Sequence, residues 1–339
     1  SGEGLKMTIK DLARETGYSV GTISRVLNHH PNVSEKARRE VTAAVDRFGF
    51  ERNENAKNLK RRRGDSILVL VKGRKNELFA SLIERLQQYF LNTRYTLLLD
   101  YFDEGENEVR RAIHLCAEKK PLGLLFLGGN CDNFEPDFAQ ITIPAVLLTD
   151  NASELPFPNL SSVFTDDTAA ADDAVSYLIA QGHRRIGIIG GDPECSDTSR
   201  MRLQGSRNAM HRAGIASEVA YGRNLYSYDG GYQAMQELLL QKADITAVFA
   251  MADVMAIGAI RALRDVGLRV PEDISVLGFD GLQIGSYFLP KLTTVHQSVE
   301  LLADRAAKFL VENIEKGVRS RHENVPFTMD LRESVIPAI

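Results

Sequence analysis

The sequence of 339 residues has no tryptophan, only three cysteines and no long hydrophobic run. Its longest apolar runs, residues 66–71 and 122–127, are far shorter than the roughly 20 residues that a membrane-spanning helix needs. The cysteines, at positions 116, 131 and 195, are odd in number and widely separated, which excludes a disulfide framework and a thiolate metal site. We therefore expect no membrane segment, no bound metal and a reducing compartment.

Signatures of catalysis are also missing. No phosphate-binding loop, no His-Glu-x-x-His helix and no Gly-x-Ser-x-Gly elbow occurs, and the seven histidines do not cluster. The pairs Gly128-Gly129 and Gly190-Gly191 are weak signals, because turns from strand to helix need glycine in any case. We expect no catalytic residues and no cofactor.

The charge is unevenly distributed along the chain. Residues 1–64 contain 14 lysines and arginines against 8 acidic residues, whereas the remainder contains 27 against 37. This basic head on an acidic body concentrates affinity for phosphate at one end of the chain.

The head has the pattern of three short helices. Gly17 separates the first helix from the second, and Ser19 is placed to cap the second. Ser34 opens the third. The inward-facing residues are predicted to be Ile9, Leu12, Ala13, Ile23, Val26, Leu27, Ala37, Val41, Val45 and Phe48. A tight turn between the first two helices predicts a helix-turn-helix.

The outer face of the second helix is small and polar. Gly21, Arg25 and Asn28 share this face, and an arginine can donate two hydrogen bonds to a guanine edge. The predicted phosphate contacts are Ser19, Thr22, Asn28, Lys36, Arg38 and Arg39. The alternative, a three-helix bundle without a DNA partner, explains neither this face nor the local charge.

Three segments of the head, residues 8–13 (TIKDLA), 19–28 (SVGTISRVLN) and 33–38 (VSEKAR), resemble the lactose-repressor (LacI/GalR) family. The resemblance implies a DNA-binding domain over residues 7–52, with Thr8 among its contacts and residues 20–27 as recognition helix. It also implies that Val20, Gly21 and Arg25 read bases, while Thr22 and Ser24 contact the backbone.

Residues 53–64 form a basic linker that is too short for a stable isolated helix. The family resemblance implies a hinge helix that forms on the operator, with Asn53, Ala56 and Leu59 at the DNA and Leu59 wedged between base steps. The chain departs from the family at Arg52, where a proline is usual. A solvated linker remains the alternative interpretation.

From residue 66 onward, apolar strand-like runs alternate with amphipathic helices. Such an order predicts parallel sheets covered on both faces. The predicted strands are residues 67–71, 95–101, 122–127, 145–149, 186–189, 247–251, 274–279 and 293–295, which suit two lobes better than one sheet. We expect an α/β body with a ligand cleft between the lobes.

Charged residues follow several of these strands. Asp150, Asp192, Asp253 and Asp280 each come after a strand, and Arg202 begins a helix after one. Carboxylates and an arginine suit a polyhydroxylated ligand, although aspartates at helix starts are often only caps. Asp280 lies between glycines in the segment 278–281 (GFDG) and is the better ligand candidate.

The body also resembles the LacI/GalR family, in residues 182–186 (GHRRI), 256–260 (AIGAI), 270–280 (VPEDISVLGFD), 292–297 (LTTVHQ) and 331–334 (LRES). The resemblance implies the fold of periplasmic sugar-binding proteins. The first lobe would span residues 65–165 and 296–325, and the second 166–295 and 326–339. By position Arg202 would clamp sugar hydroxyls, Tyr226 would stack on the ligand, and Asp280 and Gln297 would add polar contacts.

Two features leave the ligand open. Ala252 occupies a position where the family usually has asparagine, so one effector contact is missing. Lys72, Arg74 and Lys75 are compatible with an anionic or phosphorylated effector, or with an ordinary solvated loop.

Head and body together predict a cytoplasmic, sequence-specific repressor. We expect a homodimer on a pseudo-palindromic operator, controlled by a sugar or sugar derivative between the lobes. A corepressor or a protein coeffector would use the same parts. A sugar-binding protein without a regulatory role would explain the body and not the head.

Overall fold

The computed structural model describes residues 9–27, 33–48, 65–74, 76–218, 220–241 and 244–338. The chain divides into two compact units, residues 1–61 and 62–339. Among the described residues, no helix is long and apolar enough to cross a membrane.

The first unit is a small helical head. Its helices are α1 (Ile9–Thr16), α2 (Val20–Leu27) and α3 (Glu35–Phe48). Their core consists of Leu12, Ile23, Val26 and Val41, with Ile9, Ala13, Tyr18, Leu27, Val33 and Val45 packed against it. Phe48 was predicted to join this core and is instead only half-buried, at the last turn of α3, beneath the guanidinium of Arg47.

The turn between α1 and α2 has the predicted geometry. Gly17 adopts a φ of 72°, in the left-handed region that glycine enters without penalty, and its N–H donates to the carbonyl of Ala13 at 3.0 Å. The predicted helix-turn-helix head is confirmed.

The second unit begins with an entirely parallel sheet of six strands. In chain order they are β1 (Ser66–Lys72), β2 (Thr96–Phe102), β3 (Gly123–Leu127), β4 (Ala145–Leu148), β5 (Leu160–Phe164) and β11 (His322–Asn324). Their order across the sheet is β11-β5-β4-β3-β1-β2. The flanking helices are α4 (Glu77–Phe90), α5 (Glu108–Lys119), α6 (Cys131–Asp137) and α11 (Val299–Lys316), with a short 3-10 turn at Phe138–Gln140. We call this assembly the first lobe.

The second lobe is built on another six-stranded sheet. Its strands are β6 (Ile186–Gly190), β7 (Ala220–Arg223), β8 (Ala247–Ala250), β9 (Ser275–Asp280), β10 (Thr293–Gln297) and β12 (Phe327–Asp330). Their order is β12-β10-β9-β8-β6-β7, and only β12 runs antiparallel to its neighbour. The helices are α7 (Asp167–Ala180), α8 (Asp197–Arg212), α9 (Tyr228–Leu240) and α10 (Asp253–Asp265), with a 3-10 turn at Gln283–Ser286.

The chain passes between the two sheets three times, after β5, after β10 and after β11. His296 and Gln297 pair within β10 against β12. The crossing predicted at residue 296 therefore lies later, at Ser298, whose side chain caps α11. The α/β body with two mainly parallel sheets agrees with the sequence-based fold class.

Candidate functional site

Helix α2 presents a narrow outer face to solvent. Gly21 and Arg25 are exposed, and Val20 keeps 43% of its surface accessible. A Cβ added at Gly21 would meet only the hydroxyl of Ser19, at 3.6 Å, so the backbone of α2 is open to close approach. A slim helix with an exposed arginine fulfils the steric and hydrogen-bonding needs of a helix in the major groove.

The start of α2 is fixed from two sides. The hydroxyl of Ser19 accepts a hydrogen bond from the Thr22 N–H at 3.1 Å and so caps the helix as predicted. The neighbouring Tyr18 hydroxyl donates to the Glu40 carboxylate of α3 at 2.6 Å. Ser24, like Thr22, is half-buried beside the exposed face. The predicted contacts Thr8, Asn28, Asn53, Ala56 and Leu59 lie outside the described residues.

In the second unit, a cavity of about 500 Å³ lies between the two lobes. The first lobe contributes Lys72, Asn76 and Phe79, and the second contributes Arg202, Tyr226 and Asp280. Of the seven effector contacts predicted from the sequence, Lys72, Arg202, Tyr226 and Asp280 thus line one cavity. Its size is typical of small-molecule sites.

Arg202 is buried, with 4% of its surface exposed, at the floor of this cavity. It lies in the second turn of α8 rather than at the helix start that the sequence indicated. Its Nε donates to Asp167 Oδ1 at 2.8 Å, and its Nη1 donates to the carbonyl of Met251. The guanidinium also lies 3.6 Å from the ring centroid of Phe279. Asp167 is a partner that the sequence analysis missed.

Asp280 ends β9 in a strained conformation beside Arg202. Its φ of 116° lies in the region that favours glycine, and its Oδ1 is 3.9 Å from Arg202 Nη1. Gln297 Nε2 donates to the same oxygen at 3.0 Å. Burial raises the pKa of Asp280 to about 7 although Arg202 opposes the shift. Gln297 is therefore placed behind Asp280, where it orients the carboxyl group.

Tyr226 follows β7 and forms one wall. Its hydroxyl shares a hydrogen bond of 2.8 Å with the Ser199 hydroxyl, and burial raises its pKa to about 12. A Cβ on Gly191 would lie 2.7 Å from the Tyr226 ring, so only glycine leaves room for this ring position. The ring and hydroxyl offer both a stacking surface and a neutral polar group.

Asp150 connects the lobes behind the cavity wall. Its Oδ1 accepts from the Thr198 hydroxyl of the second lobe at 3.1 Å, and its Oδ2 accepts from the Gly129 N–H at 3.1 Å. Burial, with the nearby Asp167 and Asp197 carboxylates, raises its pKa to about 7. Asp150 thus holds Gly129 and Thr198, which line the cavity.

Lys72 is compensated within the first lobe. Its Nζ donates to Glu108 Oε2 at 3.0 Å, and the buried Glu108 also accepts from the Asn130 N–H at 2.6 Å. Arg74 pairs with Asp103 at 3.0 Å on the exposed surface. Lys75 is outside the described residues. The loop for which the sequence left an anionic effector and an ordinary solvated loop open therefore has its two described cations paired.

Asp253 does not belong to the cavity. Its carboxylate accepts from the Thr294 hydroxyl at 2.6 Å and from the Leu282 N–H at 2.7 Å. A Cβ on Gly278 would lie 2.3 Å from its Oδ1, so the carboxylate fills the space beside β9. The sequence left Asp253 between a capping role and an effector contact, and the structure places its carboxylate among partners of the second lobe. Asp192, which was open between capping and ligand contact, lines the cavity and pairs with Arg223 at 3.0 Å.

Comparison with known protein families supports both units. Residues 8–53 match the model of bacterial regulatory proteins of the lacI family. Residues 175–335 match that of periplasmic binding protein-like domains.

The chain is 35% identical over 323 residues to the HTH-type transcriptional regulator MalR of Clostridium butyricum, covering 93% of this chain and 95% of that protein. Among solved structures, the lac repressor dimer bound to operator and the anti-inducer ONPF matches 98% of this chain and all of its own length, with a TM-score of 0.80 and 25% identity. The complex of the transcriptional regulator CelR with cellobiose covers 97% of this chain and 99% of its own, with a TM-score of 0.69 and 29% identity. The chain belongs to the lacI family of bacterial regulatory proteins.

Proposed function

We propose that this protein is a sequence-specific transcriptional repressor whose operator affinity is set by a small neutral molecule bound between its lobes. The main support for the proposal is the position of Arg202. Asp167 holds its guanidinium at the cavity floor, beside Asp280. The protein acts without catalysis, as its relatives are transcriptional regulators. It works in the cytoplasm, where its operator is found.

In the head, Val20, Gly21 and Arg25 read base edges, since they occupy the exposed face of α2. Ser19, Thr22 and Ser24 contact the DNA backbone. Thr8, Asn28 and the hinge residues Asn53, Ala56 and Leu59 complete the interface by their positions in the family motif.

The effector is uncharged and rich in hydroxyl groups. Each described cation of the cavity is neutralised by a carboxylate: Lys72 by Glu108, Arg202 by Asp167 and Arg223 by Asp192. A phosphate bound at Lys72 or Arg202 would compete with the buried carboxylate of Glu108 or Asp167, and leaving either carboxylate without its partner is costly. A neutral polyol accepts from the arginine and donates to carboxyl oxygens without disturbing them. Cellobiose in the related CelR complex is such a molecule.

The regulator acts as a homodimer on a pseudo-palindromic operator, in the manner of the operator-bound lac repressor dimer. The effector couples to DNA only through a difference in its affinity for the two conformations of the body. An inducer and a corepressor differ only in which conformation they favour. The lobes proposed for this purpose are residues 65–165 with 298–325, and 166–297 with 326–339.

The DNA-reading role is tested with a duplex selected from a random pool and with a scrambled duplex of the same composition. Arg25→Ala should weaken binding to the selected duplex about ten- to hundredfold and affect the scrambled one far less. Lys36→Ala, an exposed residue of α3, is the control and should weaken both alike. Equal losses in both duplexes for Arg25→Ala would rule out base reading.

The effector role is tested by thermal-shift measurements with neutral mono- and disaccharides and with sugar phosphates. Arg202→Lys is the informative variant, because it keeps the buried charge and loses the planar fork that binds two oxygens. A neutral sugar should stabilise the wild type and not this variant. Stabilisation by sugar phosphates alone, or an equal response of both proteins, would overturn the proposed effector class.

A further inference from the structure

The lobes also touch at a place that the cavity contacts do not include. Tyr228, the first residue of α9 in the second lobe, donates its hydroxyl hydrogen to Glu77 Oε1, in the first residue of α4 in the first lobe, at 2.5 Å. Both residues are half-buried. Burial and the Glu77 carboxylate raise the pKa of Tyr228, with a smaller effect from Asp253, so the phenol stays a donor.

Both partners adjoin residues that line the cavity. Asn76 directly precedes Glu77, and Tyr226 lies two residues before Tyr228. The same two short segments therefore carry the wall of the cavity and the contact between the lobes. A change in the distance between these segments alters both at once.

Each segment is rigidly attached to its own lobe. Asn76 Oδ1 caps α4 by accepting from the Leu78 N–H at 3.0 Å. In the second lobe, the Ser227 hydroxyl caps α9 by accepting from the Gly230 N–H at 3.0 Å. A Cβ on Gly258 of α10 would lie 2.1 Å from the Tyr228 carbonyl oxygen, so α9 and α10 are in direct backbone contact there. Separation of the lobes must therefore break the bond between Glu77 and Tyr228.

We propose that the hydrogen bond between Glu77 and Tyr228, here called the latch, holds the lobes closed and positions Asn76 and Tyr226 around the effector. Neither latch residue is among those that line the cavity. The latch acts on the closed conformation rather than on the ligand itself. The proposal rests on the proposed function of the cavity as an effector site.

The chain contains a native reporter of closure. The Cys131 N–H of the first lobe donates to Asp197 Oδ2 of the second lobe at 2.6 Å. Burial and the Asp197 carboxylate raise the pKa of the Cys131 thiol, which lowers its thiolate fraction and its alkylation rate while Asp197 is in place. Opening of the lobes removes Asp197, whose charge and hydrogen bond raise this pKa, so the thiolate fraction of Cys131 rises. Cys116, on α5 within the first lobe, gives an internal reference that opening does not change.

The experiment measures the iodoacetamide labelling rate of each cysteine in the full chain by peptide mass spectrometry, without any effector. Tyr228→Phe should accelerate labelling of Cys131 relative to Cys116 by about tenfold, since it removes one hydrogen bond to a charged group. Glu77→Ala should give the same increase, Glu77→Gln a smaller one, and the double variant no more than either single variant.

Tyr232→Phe is the matched control. Its hydroxyl lies on the same helix, α9, and bonds to Asp265 at 3.0 Å within the second lobe, so Cys131 should react at the wild-type rate. An unchanged rate in Tyr228→Phe, an additive double variant or equal acceleration of Cys116 would each overturn the latch. Because no sugar is present, these outcomes are independent of the effector proposal.

Discussion

Two arginines of this protein show opposite ways to present a cation. Arg25 projects from α2 into solvent, whereas Arg202 is 4% exposed and already bonded to Asp167 and to the Met251 carbonyl. An exposed cation keeps its hydration until an outside partner replaces it, so the fold need not compensate it. A buried cation must be compensated by the protein before any ligand arrives.

This difference determines how readily residues can be substituted at the exposed face of α2 and at the cavity floor. The exposed face of α2 can be altered one side chain at a time, because few other residues of the head depend on it. The cavity floor is a connected network of Arg202, Asp167, Asp280 and Gln297, in which one replacement leaves another group without its partner.

The largest expected effect comes from deleting the buried arginine, with the exposed one as its comparison. Arg202→Ala should lower the free energy of unfolding by about 3–5 kcal/mol, because the buried Asp167 carboxylate loses its counter-ion. Arg25→Ala should change it by less than about 0.5 kcal/mol, as for most exposed substitutions. Denaturant unfolding of both variants measures the two values. If both variants lose a similar free energy of unfolding, the buried network does not depend on Arg202.

A second difference is between buried and exposed carboxyl groups. The folded protein holds the pKa of Asp280 near 7, above its value of roughly 4 in an unfolded chain. The stability that the protonated group contributes is complete below about pH 4 and is lost as the pH rises through 7. Asp280→Asn should therefore gain stability relative to the wild type between pH 5 and pH 8, by roughly 1–3 kcal/mol.

The control for this pH effect is Asp273→Asn. Arg269 holds the pKa of the exposed Asp273 at about 2, so that group stays ionised throughout the range from pH 5 to pH 8. Its stability difference from the wild type should be constant across that range. His183, whose pKa burial lowers, titrates alike in all three proteins and cancels from the differences. A constant difference for Asp280→Asn as well would contradict its raised pKa.

A smaller effect than those of the buried groups is expected at the start of α2. Ser19→Ala removes the cap on the Thr22 N–H and should destabilise the head by about 1 kcal/mol. Ser19→Asn should restore most of this loss, because asparagine caps equally well. Hydrogen exchange at the Thr22 amide measures both. Unchanged protection in Ser19→Ala would show that the cap does not hold α2.

Local patterns were enough to predict the head and most strands. The turn at Gly17, the cap at Ser19 and the apolar face of α2 depend on contacts between residues that are close in the sequence. Strands β5, β7, β11 and β12 were not predicted. In β5, Ser161 and Ser162 interrupt the apolar run. Each serine has a partner far away in the sequence: the Arg321 N–H donates to the Ser161 hydroxyl at 3.1 Å, and His322 Nδ1 lies 2.8 Å from the Ser162 hydroxyl.

The cavity residues were predictable only where a local sequence pattern singled them out. Asp280 stood out because glycines flank it, and the structure places it at the cavity. Asp167 and Glu108 were missed, since each finds its partner, Arg202 or Lys72, more than thirty residues away. Asp253 resembled a ligand contact in the sequence. Only the fold shows that Thr294 and Leu282 occupy its carboxylate.

If a ligand in the cavity controls DNA binding by the head, the affinity for the operator must depend on that ligand. The measurement is a titration of the protein with its selected duplex, with and without a saturating amount of the sugar that stabilises the wild type. We expect the sugar to change the dissociation constant of the wild type at least fivefold, in one direction or the other, and to leave that of Arg202→Lys unchanged. Identical wild-type binding curves with and without the sugar would contradict it.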